Sequence, residues 1–167
     1  QRVLKVMKEE DINSRLQKGG ALLGDMRRLV SAWSEKVSSG NASEFVMRTL
    51  GKPSLARAKD TFIRAFRPRF LEGNPPEAWR LARVLEDTDA GSETIKAFYF
   101  WITAHSEKVL YYYVTEELMA ARISVDRQIK VEDVMQWLGK SLHSCGKAWS
   151  PTVTRKVARG MLAALRD

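Results

Sequence analysis

The clearest helix signal in the sequence is SPTVTRKVARGMLAALR, residues 150–166. Ser150 followed by Pro151 is a typical helix start, because serine caps free N–H groups and proline suits the first helical position. Apolar residues then recur at intervals of three and four, the spacing of one buried helix face; they are Val153, Val157, Met161, Ala164 and Leu165. The segment therefore predicts an amphipathic helix over 151–166.

The same helical spacing recurs along most of the chain. Further helices are predicted over 20–37, from Asn41 or Ser43 to about Gly51, from Ser54 to Pro68, from Asn74 to Asp87, twice within 95–118 with a break near His105, and over 131–138. Only Ile123–Val125 resembles a strand, which allows at most one short strand pair. We predict an all-α protein, a compact bundle of about seven to nine helices. A single domain over 1–167 is expected, with sub-domains 1–90 and 91–167 as the alternative.

Local chemistry predicts three helix boundaries. Pro68 should end or kink its helix, since proline lacks a backbone N–H. Asn74–Glu77 combines a capping residue, a proline at the first helical position and an acid at the third, so a helix should start there. Ser92 should cap the helix that follows the loop over 89–91.

The charge of the chain is large and segregated. Its 167 residues include 28 Lys and Arg against 20 Asp and Glu, a net charge of +8. Residues 52–84 hold eight basic and three acidic residues (+5), 85–120 hold two and seven (−5), and 139–167 hold six and one (+5). Such an excess favours a polyanionic partner. The single cysteine, Cys145, excludes a disulfide framework and a thiolate-rich zinc site.

The first basic group lies on the helix predicted over 151–166. Its members follow one another at i, i+3, i+4 and i+7, opposite the apolar face; they are Thr152, Arg155, Lys156 and Arg159. No acid lies between Gly139 and Arg166, and Lys140 and Lys147 add charge before the helix. A short helix over 131–138, a linker of about 11 residues and this helix resemble a helix-turn-helix, which holds the N-terminus of its second helix at DNA phosphates. A solvated face of a bundle helix is the alternative that stays open.

A second basic group lies on the helix predicted from Ser54. Arg57, Arg64 and Arg67 are spaced by seven and three residues, opposite an apolar face of Leu55, Phe62 and Phe66. Asp60 lies in the same stripe, where it can pair with Arg57 or Arg64. Both phosphate contact and an ordinary exposed face are consistent with this pattern.

No pattern in the sequence predicts catalysis. His105 with Glu107 lacks the second histidine of a zinc helix, and His143 with Cys145 supplies only two ligands. There is no nucleophile elbow, phosphate-binding loop or dinucleotide-binding glycine pattern. We therefore predict a non-enzymatic protein with no catalytic residues, no metal and no cofactor.

The aromatic residues at 98–101 and 111–113 are interpreted as core rather than as a base-stacking surface, because consecutive aromatic residues point around a helix and the local charge is negative. The longest apolar stretch, Ala97–Ala104, is too short for a membrane span, which needs about 20 residues. No signal peptide is visible, because residues 1–3 lead into charged residues rather than into an apolar segment. We expect a cytoplasmic protein without membrane insertion, in agreement with the lone Cys145.

Two segments resemble signature regions of a known family. Leu50–Arg57 (LGKPSLAR) with the arginine-rich helix after it, and Trp149–Lys156 (WSPTVTRK) with its apolar tail, are similar to the BrxA family, and the early segment Leu22–Leu29 also fits. The resemblance implies an all-helical fold like that of the antitermination factor NusB. It also implies an accessory protein of a BREX bacteriophage-exclusion system, a group associated with DNA binding.

These observations lead to one functional hypothesis and two alternatives. The hypothesis is a nucleic-acid-binding accessory protein, with double-stranded DNA as partner. Its predicted contacts are Arg155, Lys156, Arg159, Thr152, Lys147, Lys140, Arg57, Arg64 and Arg67. The alternatives are an adaptor that docks on other defence-system proteins through its basic helices, and RNA binding by analogy with NusB.

Overall fold

The computed structural model describes residues 7–18, 22–119 and 128–167. All regular elements in these ranges are helical, which confirms the predicted all-α class. The α-helices are α1 (Leu23–Ala32), α2 (Ala42–Leu50), α3 (Leu55–Thr61), α4 (Ala78–Asp87), α5 (Ser92–Ser106), α6 (Lys108–Tyr112), α7 (Val131–Ser144) and α8 (Pro151–Arg166). Short 3-10 helices occupy Glu9–Asp11 and Arg15–Lys18. The predicted strand at Ile123–Val125 lies outside the described residues.

The described residues group into two compact units. The central unit is Leu22–Ser106, with α1 to α5. The terminal unit combines residues 7–18 with the described part of Glu107–Arg166, and holds α6 to α8. The single domain over 1–167 stays a prediction.

An aromatic stack forms the core of the central unit. Trp33 lies with its ring centroid 4.9 Å from that of Phe66, Phe66 lies 5.6 Å from Phe70, and Phe70 lies 5.3 Å from Tyr99. All four side chains are buried. The core interpretation is thus confirmed for Tyr99, whereas Trp101 on the same helix is exposed.

The core of the terminal unit lies where α7 and α8 pack together. Buried side chains from α7 meet those of α8; they are Val134, Leu138, Leu142, Val157, Met161 and Ala164. The 3-10 helix Arg15–Lys18 packs closely against α8 at Gly160, where an added Cβ would overlap the Leu16 carbonyl oxygen. Glycine at this position therefore allows the N-terminal segment to lie against the helix.

Two of the predicted helix starts are confirmed at atomic detail. The Ser54 hydroxyl accepts a hydrogen bond from the Arg57 N–H at 3.3 Å, and the Ser150 hydroxyl accepts one from the Val153 N–H at the same distance. The break between α5 and α6 falls at Glu107, next to the predicted position.

The prediction that the helix ends at Pro68 was wrong, and the alternative, a kink there, stays a prediction. From Phe62 to Leu71, α3 continues as a π-helical segment that contains Pro68. Proline disrupts a helix by removing an α-helical hydrogen bond. Proline lacks that N–H in a π-helix as well, so the segment continues to Leu71 without the hydrogen bond that residue 68 would donate.

The predicted helix start at Asn74 was also wrong. Helix α4 begins at Ala78, because Glu77 has a left-handed backbone (φ 52°) that a right-handed helix cannot include. The Glu77 N–H instead donates to the Leu71 carbonyl at 2.8 Å, which closes a turn. Helix α5 begins at Ser92, and the Gly91 carbonyl accepts the Ile95 N–H, so the cap lies one residue before the predicted one.

Two helix lengths differ from the prediction. Helix α1 ends at Ala32 rather than near residue 37, since the Arg83 guanidinium caps its end by donating to the Trp33 carbonyl at 2.7 Å. Helix α7 runs past Gly139 to Ser144. A glycine within a helix costs about 1 kcal/mol, which burial of Leu138 and Leu142 offsets. The linker before α8 is therefore six residues, 145–150, instead of about 11.

Candidate nucleic-acid interface

The exposed face of α8 carries the cations that the sequence predicted to lie together. Arg155, Lys156 and Arg159 are exposed, and so is Thr152 one turn before them. The opposite face is buried through Val157, Ala158, Met161 and others. Packing of the apolar face against α7 therefore fixes the direction in which the cations point.

The start of α8 adds a partial positive charge to this surface. Ser150 caps the first turn, and that turn contains no acidic residue. Unpaired N–H groups at a helix N-terminus favour anions. Thr152 is exposed at this end, within the first turn of α8.

One acid that the sequence pattern missed reaches the cationic face. Glu132, at the start of α7, lies with its carboxylate 3.6 Å from the Arg155 guanidinium. The two side chains are 70% and 48% exposed, and exposed pairs of this kind contribute little energy. Lys156 and Arg159 form no ion pair with any residue in the described ranges.

The two lysines predicted before α8 differ in their surroundings. Lys140 is exposed on α7. Lys147 is half-buried, because its ammonium donates to the Glu9 carbonyl at 2.9 Å and lies 3.7 Å from the Glu9 carboxylate. Next to it, the Cys145 thiol donates to the Met7 carbonyl at 2.8 Å. Lys147 is thus part of the attachment of the N-terminal segment, a role that sequence spacing did not indicate.

The second predicted group belongs to the central unit, and most of it is paired. The Arg64 guanidinium lies 2.5 Å from the Asp60 carboxylate, one of the two pairings expected from the sequence, and Arg67 lies 2.7 Å from Glu72. Arg57 is exposed and forms no ion pair with the described residues. Leu55 is 47% exposed, so it does not belong to the buried face on which it was predicted.

Comparison with protein families connects these features to a known group. The BrxA family model matches residues 11–167, which include both segments that resemble its signature regions.

The chain belongs to the BrxA family.

Membership implies a component of a BREX defence system. Comparison with curated proteins gives no match, and comparison with solved structures gives none either. The likeness of this BrxA family member to NusB therefore stays a prediction.

His105 and Glu107 of this BrxA family member each have a contact within the fold, and His143 is exposed. His105 lies with its ring 4.8 Å from that of Trp101, and Glu107 is buried 3.3 Å from the Arg15 guanidinium. Within residues 7–18, 22–119 and 128–167, no three His, Cys, Asp or Glu side chains are grouped so as to hold a metal ion. No helix in the same part of the chain combines the length and hydrophobicity that crossing a bilayer requires.

A polar network that the sequence did not predict lies in the central unit. The Arg27 guanidinium binds the Glu86 carboxylate through two contacts of 2.8 Å, and the Tyr99 hydroxyl donates to the same carboxylate at 3.0 Å. The Arg27 hydrogen bonds hold the pKa of Glu86 below its ordinary value. Burial, reinforced by the Glu86 charge, raises the pKa of Tyr99. This network joins α1, α4 and α5.

Proposed function

We propose that this BrxA family member binds double-stranded DNA through the N-terminal half of α8, without catalysing a reaction. The observation that carries the proposal is the exposed pair Lys156 and Arg159, next to Arg155 on a capped helix whose first turn lacks an acid. Cations free of internal partners are available for phosphates, which dominate affinity for duplex DNA.

The arrangement of α7 and α8 supports docking in the manner of a helix-turn-helix. The linker of six residues is closer to the short turns of such units than the predicted one. In these units the N-terminal residues of the second helix face the groove. That position is occupied here by Thr152 and Arg155.

The composition of the exposed α8 surface predicts weak sequence selectivity. Base edges are read by bidentate Arg, Lys, Asn or Gln side chains, but most protein–DNA hydrogen bonds go to phosphate and sugar oxygens. No Asn or Gln occurs within Pro151–Arg166. Duplexes of different sequence should therefore bind with similar affinity.

The test is a duplex titration at several salt concentrations. With three phosphate contacts, raising salt from about 50 to about 200 mM should lower affinity roughly 40-fold, a slope of about −2.7 in log–log form. An RNA duplex of the same sequence serves as competitor, and preference for RNA would transfer the proposal to RNA binding. Affinity that does not change with salt would contradict phosphate contact altogether.

We further propose a cytoplasmic location. DNA is available there, and the compartment keeps a single thiol such as Cys145 reduced. Fractionation of cells that express the tagged chain, followed by immunoblotting, tests this part independently of DNA binding.

A further inference from the structure

A half-open groove of about 610 Å³ lies in the terminal unit, beside the second half of α8. Its apolar walls are Ile129, which precedes α7, Val131, the first residue of α7, and Leu162 and Leu165 from α8. All four side chains are half-buried, so they leave apolar surface open to solvent. The volume is in the range of sites that bind a ligand or the side chains of a partner.

Two cations bracket this apolar surface. Arg159 and Arg166 line the groove, and both are exposed. They are seven residues apart, which corresponds to about 10 Å along the same side of a helix. Neither forms an ion pair with a residue that the structure describes. The groove is therefore apolar in the middle and positive at both ends.

We propose that this groove binds an acidic amphipathic helix of a partner protein. Apolar side chains of such a helix, three or four residues apart, would fill the space beside Leu162 and Leu165. Carboxylates two helical turns apart would reach Arg159 and Arg166, where paired charges fix orientation.

The spacing of Arg159 and Arg166 around the apolar surface favours an acidic helix over a fatty acid or a nucleic acid. A fatty acid or similar amphiphile has one anionic end, which leaves the second arginine without a partner. Nucleic acid offers many anions but no aliphatic surface for Leu162 and Leu165. A helix with acids on both sides of an apolar stripe satisfies both features.

The groove shares Arg159 with the proposed DNA surface, and this part of the inference rests on that proposed function. A helix bound at Arg159 removes one phosphate contact from DNA binding. The partner should therefore compete with DNA, although Arg166 and the two leucines belong to the groove alone.

The test uses a fluorescein-labelled synthetic peptide of 18 residues and the full chain. Its leucines recur every three or four positions, and glutamates seven residues apart flank them. A scrambled peptide of equal composition is the reference. By fluorescence anisotropy, the amphipathic peptide should bind at least about tenfold more tightly than the scrambled one.

Variants of the chain separate the groove from the DNA surface. Arg166→Glu should weaken peptide binding about tenfold, and a peptide in which lysine replaces only the glutamate that faces residue 166 should regain affinity for this variant. Lys156→Glu should leave peptide binding unchanged while it weakens DNA binding. Lys36→Glu, an exposed cation of the central unit, is the control for net charge.

Several outcomes would overturn the inference. These are equal binding of the scrambled peptide, unchanged binding by Arg166→Glu, or displacement of the peptide by dodecanoate at a lower concentration than by unlabelled peptide. The last result would assign the groove to a small amphiphile. If the unchanged chain binds the peptide but does not bind DNA, the proposed function is contradicted and the assignment of the groove is not.

Discussion

Most of the arginines described for the central unit pair within the fold, whereas two of the exposed cations of α8 do not. In the central unit, guanidinium groups bind neighbouring parts of the fold: Arg27 pairs with Glu86, Arg64 with Asp60, and Arg83 donates to the end of α1. On α8, Lys156 and Arg159 have no such partner in the described residues. Two segments with the same net charge of +5 thus differ in how much of that charge is available to a ligand.

This difference shows that charge counted along a sequence overestimates a binding surface. Asp60 and Glu72 lie within a few residues of the arginines that they neutralise. The α8 segment lacks acids of its own, so neutralisation there depends on other elements. Charge that has no local partner is the better indicator of a surface for anions.

The largest expected effect is on DNA affinity. The double variant Lys156→Glu/Arg159→Glu removes two contacts and adds repulsion, so duplex affinity should fall about 100-fold at moderate salt, or about 2.7 kcal/mol. Lys36→Glu/Arg48→Glu makes the same charge change at exposed positions of the central unit and should cost less than about threefold. Anisotropy titration with a labelled duplex measures both. Equal losses of duplex affinity in the two double variants would contradict a specific role for the exposed face of α8.

The second effect concerns the contact between the N-terminal segment and α8 at Gly160. Gly160→Ala places a methyl group against the Leu16 carbonyl, so the free energy of unfolding should fall by about 2 kcal/mol. Gly139→Ala is the matched control, because no atom lies within 4 Å of the added Cβ. There the helix preference of alanine should raise stability by about 0.5–1 kcal/mol. Chemical denaturation followed by circular dichroism tests both, and stabilisation by Gly160→Ala would contradict the close approach of the N-terminal segment.

A smaller effect tests the structural role of central-unit arginines. The hydrogen bonds from Arg27 lower the pKa of Glu86 in the folded chain. Such a group adds stability above its unfolded pKa, and the contribution is lost as pH falls through the folded pKa. Glu86→Gln should therefore cost about 1 kcal/mol at neutral pH and progressively less in acid. Thermal melts of both chains between pH 7 and pH 3 measure the difference, which should not grow as the pH falls.

The smallest effect concerns the acid that contacts the α8 face. Glu132→Gln releases Arg155 and removes a negative charge, so duplex affinity should rise about twofold. Glu93→Gln removes an exposed acid from the first turn of α5 and should leave affinity unchanged. Competition titration with both variants measures so small a change, and a decrease in the Glu132 variant would show that this carboxylate helps to position Arg155.

Local chemistry allowed much of the fold to be predicted. Ser54 and Ser150 cap the helices that their sequence context indicates, since a cap depends only on residues three positions away. The length of α7 was underestimated, because the sequence predicted its end before Gly139. Burial of the leucines on either side of this glycine extends the helix beyond it. The start of α4 depends on a backbone conformation at Glu77 that no composition rule indicates.

The candidate site was predictable only in part for a similar reason. The cations of α8 follow helical spacing, which the sequence displays directly. Their neutralising partners come from distant positions, as Glu9 at Lys147 shows. The groove beside Leu162 could not be predicted, because it forms only where α7 and α8 approach each other. From the sequence, Arg159 was assigned to the phosphate surface and Arg166 to no site.

The contact between Lys147 and Glu9 also has a consequence for synthesis of the protein. These residues are 138 positions apart, and the Cys145 thiol spans the same separation to Met7. A ribosome therefore releases residue 9 long before its partner exists, and the loop must close after α7 has emerged. The central unit precedes α7 and α8 in the chain, so it can form before them, and the exposed cations of α8 come together only after residue 159 has emerged.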